Sequence, residues 1–440
     1  MTSLILSLLV GLLFNAPITQ VLAQGPVIFP LSPDPEFSFQ FQRAITLSSG
    51  GFASTGEVLR AASQVMPGDF ESYHDAFYTL GSKVHNFAES IDVSKYPSSA
   101  RHSLFRSAAY LRESLFFLTG NKSDSRLYTV WDEARADFDK ALGLMESPGV
   151  RYNISAPKIR SNFTAPIIFY KPENYKHNGK APTVLWGNGY DGPQEDGLPG
   201  YGKYVLERGW NFVTYEGPGQ NTVIRDQHIG FVPNWWDVVT PIVDFLVSRG
   251  DVDSSRLALV GESFGGILAP RAAVYEKRFA GVLAIDGAYN LRDSVLGQFP
   301  TQLTTLYDSG NVTEFDALLN SLRLNATTPS NFRWGVNQGL WSFNTDSPYE
   351  WLQRAGDINI TQESIKSITS KVFIGSGQND SSFPGQAPTV GKWFGDSATF
   401  YNFTNDLGAG QHCQIGAEAY LASVSLDWLT DVFMNVTEHR

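Results

Sequence analysis

The chain has one cysteine in 440 residues, Cys413, so no intrachain disulfide can form and a hydrophobic core must hold the fold. It also lacks a basic cluster. The net charge of −11 is spread along the sequence, which argues against nucleic acid and anionic membrane surfaces as partners. Beyond the first residues no apolar run reaches the length of a membrane span. No group of His, Cys, Asp and Glu has metal-ligand spacing and no dinucleotide fingerprint is complete, so neither metal nor cofactor is implied. Internal repeats and low-complexity tracts are missing as well.

A targeting signal is present. Leu4 to Phe14 is apolar but too short to cross a bilayer, and Val21-Leu22-Ala23 is a small-residue cleavage pattern, so residues 1–23 read as a signal peptide. Nine N-x-S/T sequons start at Asn121, Asn153, Asn162, Asn311, Asn325, Asn359, Asn379, Asn402 and Asn435, where residue frequencies predict roughly three or four. Together these point to a secretory route, with some sequons expected in buried strands.

Residues 24–148 read as a helical cap region. Phe70, Tyr73, Phe77, Leu80, Val84 and Phe87 step by three and four, as an amphipathic helix requires. Leu104 to Leu118 and Leu127 to Met145 carry two more such stripes, the first stopped at Gly120. His74, His85 and His102 read as packing or surface residues. From residue 149 the pattern changes to strands: Val150–Ile154, Phe163–Tyr170, Thr183–Trp186, Asn211–Tyr215, Leu257–Val260, Gly281–Ile285, Lys371–Ile374 and Ala398–Asn402. Their long connections predict a mostly parallel, doubly wound eight-stranded sheet over residues 149–440. Residues 290–370, with Trp334, Trp341 and Trp351, form a helical insertion after the sixth strand that reads as a lid.

Gly261-Glu262-Ser263-Phe264-Gly265 lies between the fifth strand and a small-residue helix, the strand-turn-helix context of a nucleophile elbow, which makes Ser263 the candidate nucleophile. A serine needs a histidine to take its proton and a carboxylate to fix the imidazole tautomer. Only His412 and His439 follow Ser263, and His412 is preferred because it sits in a Gly-rich loop after the last strand, away from the terminus. Asp380, just beyond the seventh strand, is the first choice for the acid. Asp286, at the end of the sixth, is the competitor, and Asp406 a weaker one. A glycan on Asn379 would crowd Asp380, so that sequon is expected to be unmodified. The oxyanion donors are assigned to the N–H groups of Phe264 and Tyr190, the latter in the Trp186–Gly192 loop after the third strand. Glu216-Gly217-Pro218-Gly219 reads as a tight turn at the same sheet edge.

With these residues placed, the sequence resembles the α/β-hydrolase superfamily, and within it the group of 2,6-dihydropseudooxynicotine hydrolase, fermentation-respiration-switch proteins and fungal polyketide-shortening hydrolases. The resemblance rests on Asn188–Gly192, Glu216–Gln220, Val232–Trp236, Gly261–Gly266 with Ala269–Ala273, and Gln411–Cys413. It implies an α/β-hydrolase fold with an N-terminal helical cap, and Ser263, Asp380 and His412 as the triad. It also implies action on an ester or ketone carbonyl of a small molecule, carbon-carbon cleavage included. The expectation is a secreted serine hydrolase; the alternatives are a serine peptidase and a binding protein that has lost turnover. Dehalogenase or epoxide hydrolase chemistry would need a carboxylate where Ser263 stands. The signal peptide departs from an intracellular biosynthetic role.

Overall fold

The computed structural model describes residues 29–173 and 179–438, so the expected signal peptide and His439 lie outside the described residues. Eight strands form one sheet in the order β1-β2-β4-β3-β5-β6-β7-β8. They are β1 (Val150–Ser155), β2 (Thr164–Tyr170), β3 (Ala181–Gly187), β4 (Asn211–Tyr215), β5 (Val252–Glu262), β6 (Gly281–Ile285), β7 (Lys371–Gly377) and β8 (Ala398–Phe403). Only β2 runs against its neighbours; β4 through β8 are parallel. All residues of β3, β4 and β6 are buried, which explains why these strands read as continuous apolar runs without alternation. The architecture is the expected mostly parallel sheet wrapped in helices.

Helices cover both faces. Trp236–Ser248, Gly265–Ala273 and the insertion pack on one side, around Leu185, Val213, Leu259 and Val282. The helices Pro35–Thr46, Thr55–Ala62, Phe70–Glu89, Pro97–Glu113 and Arg126–Gly143 precede the sheet in the chain. Their apolar faces run into one contiguous cluster with Val184, Trp186, Phe212, Val260 and Ile285 on the opposite face of the sheet. They therefore share a core with the strands. Aromatic pairs such as Phe41–Tyr73, with parallel rings 5.6 Å apart, and Phe52–Phe105, at 4.1 Å, add roughly 0.5–1.5 kcal/mol each to the area buried.

One helix ends earlier than its stripe. The helix expected through Leu118 stops at Glu113, and Leu115 and Leu118 stay buried in tight turns that end in the 3-10 turn Leu118–Gly120. The periodicity persists there because burial, not helical geometry, selects the leucines. The insertion between β6 and β7 contains helices Leu291–Gln298, Thr301–Asp308, Val312–Leu324, Ser330–Ser342 and Pro348–Asp357. Its tryptophans divide in role. Trp334 and Trp351 line the large cavity above the sheet, whereas Trp341 packs with Leu127, Val130 and Trp131. Trp334 also stacks on Phe116, 5.2 Å between centroids, which ties the insertion to the N-terminal helices.

Candidate active site

Five neighbouring strands, β3-β5-β6-β7-β8, end on one edge of the sheet and deliver in turn Tyr190, Ser263, Asp286, Asp380 and His412. Open α/β sheets bind ligands outside the carboxyl ends of their strands for this reason: parallel strands gather loops distant in sequence at one edge. β5 stops at Glu262 and a helix starts at Gly265, leaving Ser263 at φ 62°, a left-handed conformation that an L-residue holds only under constraint. Flanking glycines make this turn possible. A Cβ on Gly261 would lie 1.9 Å from the Gly265 carbonyl oxygen, and one on Gly265 2.8 Å from the Gly187 carbonyl oxygen. Ser263 N–H donates to Ile285 O of β6 at 3.2 Å and anchors the turn to the sheet.

Ser263 Oγ is 2.9 Å from His412 Nε2, and His412 Nδ1 is 2.8 Å from Asp380 Oδ1. Asp380 Oδ1 also accepts from Ser382 N–H at 2.8 Å and Phe383 N–H at 3.1 Å. The competitor reaches the same atom: Asp286 Oδ2 lies 3.2 Å from His412 Nδ1. Asp406 is exposed on a loop and takes no part. Burial alone would lower the His412 pKa; the carboxylates of Asp380 and Asp286 beside the ring more than offset this and set it well above the usual imidazole value. Burial pushes the Cys413 thiol up, so it stays neutral. Burial would also raise Asp380, yet His412 and the two backbone N–H groups hold it below the ordinary carboxylate value.

The loop after β3 passes directly over the elbow. A Cβ on Gly189 would sit 2.4 Å from Phe264 N and 2.9 Å from Ser263 Cβ. Gln220, in the turn after β4, braces this loop: its Nε2 donates to Asn188 O at 2.6 Å and Gly189 O at 3.0 Å. Because the Gly189–Tyr190 peptide is trans, fixing its carbonyl toward Gln220 turns the Tyr190 N–H the opposite way. Gln338 of the insertion holds the next carbonyl, donating to Tyr190 O at 3.0 Å. Among the described residues neither Phe264 N–H nor Tyr190 N–H meets an acceptor. Sequence reasoning missed Gln220 and Gln338. The first ends the Glu216–Gln220 segment, which carries the family resemblance but gives no residue of its own a role; the second carries no local signal at all.

Above these groups lies a cavity of about 1620 Å³, roofed by Leu31, Phe299, Phe332, Trp334, Trp351 and Phe383. Such a space exceeds the roughly 300–1,000 Å³ of pockets that hold drug-sized molecules. Its ionisable lining is mainly acidic. Burial pushes Glu36 and Glu262 up to about 7 and also raises Asp191. Arg43 is committed to Glu113 and Asp196. The Asp286 carboxylate, His412 and Cys413 place ligand atoms within 4.8 Å of one another. As a cation site they do not fit: the thiol is neutral and His412 Nδ1 is turned onto carboxylates.

Comparison with known proteins places the fold among hydrolases. Residues 237–329 match the prolyl oligopeptidase family, a segment that includes the elbow. Over 341 residues the chain is 28% identical to hydrolase acrC of Aspergillus aculeatus, covering 74% of this chain and 78% of that protein. Over 412 residues it is 27% identical to the 20-hydroxy-prefusarin hydrolase of Gibberella moniliformis, covering 90% and 96%. The crystal structure of 2,6-dihydroxy-pseudo-oxynicotine hydrolase shares the fold with a TM-score of 0.68 at 19% identity, covering 89% of this chain and 95% of that one.

Proposed function

Taking as premise that the chain is a hydrolase of the α/β-hydrolase fold related to these fungal hydrolases, we propose that it works as a serine hydrolase on a carbonyl of a large, mostly apolar small molecule. The observation that carries this reading is the 2.9 Å contact between Ser263 Oγ and His412 Nε2 at the floor of the cavity, with Asp380 on the far ring nitrogen. Ser263 Oγ attacks the carbonyl carbon while His412 Nε2 takes its proton, and the N–H groups of Phe264 and Tyr190 receive the negative charge on the carbonyl oxygen. His412 then protonates the leaving group, and water, deprotonated by His412, releases the acyl group from Ser263. An ester loses an alcohol in this way. A ketone loses a carbanion, which must be stabilised by resonance before His412 protonates it, so β-diketones and acylated aromatics are the ketones that qualify. With Arg43 committed to Glu113 and Asp196 and the lining acids raised by burial, the cavity favours neutral substrates over anionic ones.

The test is intact mass after a fluorophosphonate probe, with Ser263→Ala beside the native protein. One adduct that disappears in the variant is expected, together with a loss of turnover of about 10⁴-fold or more on an activated aryl ester. Absence of an adduct on folded protein would favour a binding protein instead. Paired ester and β-diketone substrates then separate the two bond types.

We further propose that the protein travels the secretory route, on the N-terminal apolar segment and the sequons. Seven of the nine sequon asparagines are exposed and Asn325 and Asn359 are half-buried, so the expectation that some lie in buried strands does not hold. Sequons at Asn153 and Asn402 do fall on strands, but on outward-facing positions. An Edman or mass-spectrometric N-terminus at Gln24 in culture medium is the expected result.

A further inference from the structure

His412 faces two carboxylates. Asp380 reaches it from the loop after β7 and Asp286 from the end of β6, at 2.8 and 3.2 Å from the same Nδ1. We propose that Asp286 is a positioning residue, a second carboxylate that shares the Nδ1–H of His412 with Asp380 and pins the histidine loop, so that the relay has two acids. This rests on the reading of Ser263 and His412 as nucleophile and base.

The two carboxylates are held differently. Asp286 is fully buried at φ 52° and accepts from donors only: Gly377 N–H at 2.8 Å, Gln414 Nε2 at 2.9 Å and Cys413 N–H. With every contact a donor, it behaves as an acceptor-only carboxylate that cannot swing away. Its partners come from both sides of the relay. Gly377 opens the loop that carries Asp380, while Cys413 and Gln414 follow His412, themselves in left-handed backbone at φ 55° and 51°. Three left-handed residues that meet at one point, two of them consecutive, mark a conformation that the surroundings impose. The Asp286 carboxylate is the acceptor that makes the turn after His412 worth holding, since without it the Cys413 N–H and Gln414 amide would be buried and unpaired. Other groups that face His412 are Ser263 on the elbow and Cys413 on its own loop, with the acids Glu262 on β5 and Asp191 in the loop after β3 at longer range.

The kinetic consequence has a definite sign. The base must be neutral to take the serine proton, so kcat/KM rises with pH through the His412 pKa, which lies above the ordinary value. Removing a carboxylate beside the ring destabilises the imidazolium and moves that acid limb to lower pH. In Asp286→Asn the limb is expected to fall by about one unit, with kcat down about tenfold. Asparagine tolerates the left-handed backbone and keeps one acceptor oxygen, so the variant retains the backbone conformation at residue 286 while its Nδ2 group leaves a buried donor of the histidine loop unpaired. In Asp380→Asn a single-acid relay would lose about 10⁴-fold. With Asp286 still in place, it is expected to retain at least tenfold more activity than Asp286→Asn/Asp380→Asn.

The experiment measures kcat/KM from pH 5 to 10 on one aryl ester for the native protein and these three variants. Histidine-labelled Ser263→Ala protein, with and without Asp286→Asn, gives the His412 titration by NMR. An unchanged acid limb and titration in Asp286→Asn, or equal loss in Asp380→Asn and the double variant, overturns the proposal. If Asp286→Asn does not fold, Asp380→Asn alone decides: loss of 10⁴-fold overturns it, and retention within about 100-fold supports it. Native protein inert to fluorophosphonate would sink the serine-hydrolase reading instead, and the NMR titration would still judge Asp286.

Discussion

The elbow and the histidine loop bring Ser263 and His412 within 2.9 Å of each other by opposite means. The elbow is one continuous segment, β5 followed by the helix Gly265–Ala273, and its shape follows from glycines within four residues of the serine. The histidine loop has no such local logic. Asn379 N–H donates to Gly410 O at 2.7 Å, Asn405 Nδ2 to Asn379 Oδ1 at 2.7 Å, and Cys413 N–H to Asp286, so the loop takes its shape from strands β6 and β7. The proposed nucleophile is thus placed by its neighbours in the chain, and its proposed base by neighbours in space. The two halves should fail in different ways when disturbed.

Damage to the elbow is expected to reach the fold first. Gly261→Ala places a Cβ 1.9 Å from the Gly265 carbonyl oxygen, a backbone overlap that no rotamer relieves. The expected outcome is loss of soluble, cooperatively melting protein, read by expression yield and thermal denaturation; a normal melting curve would show that the turn is looser than described. Damage to the histidine loop is expected to reach activity first. Gly377→Ala brings a Cβ within 2.5 Å of the Gln411 carbonyl oxygen and 3.0 Å of that of Gly410. It should cost about 1–3 kcal/mol in urea denaturation and about 10²-fold in kcat/KM, because His412 is displaced from the serine. Activity within threefold of native would mean that β7 does not hold the loop. The smallest effect is expected at Asn379, whose side chain accepts from Asn405 one residue before Asp380. It is exposed, yet a glycan there would have to break that contact, so peptide mapping should find it unoccupied and Asn379→Gln should leave the protein's mass apart from the substitution unaltered.

The same contrast explains what could be read from the residues alone. The central strands β3, β4 and β6 were legible because buried parallel strands are short apolar runs, the outer ones by the turns that bound them, and Ser263 because the elbow is a contiguous pattern. His412 was legible by elimination, since few histidines follow the serine. The choice between Asp286 and Asp380 was not, because both end a neighbouring strand and both reach Nδ1. Gln338 was invisible for a related reason: it sits 148 residues from the carbonyl it holds, at Tyr190. The N-terminal helices read as a cap region, but periodicity did not show that Glu36 and Arg43 of the first of them line the cavity or that their apolar faces continue into the sheet's core.

By itself the sequence determined the strands, the amphipathic helices, the nucleophile turn and the order of the residues that follow it, because each depends on periodicity or on a few adjacent side chains. Tertiary structure alone decided that two carboxylates converge on one imidazole, that a glutamine from the turn after β4 and another from a helix of the insertion hold the carbonyls of the loop after β3, and that the insertion and the first helix line one cavity. Those outcomes depend on which strands lie side by side, and hydrogen bonds across 30 to 150 residues leave no period in the chain that makes them.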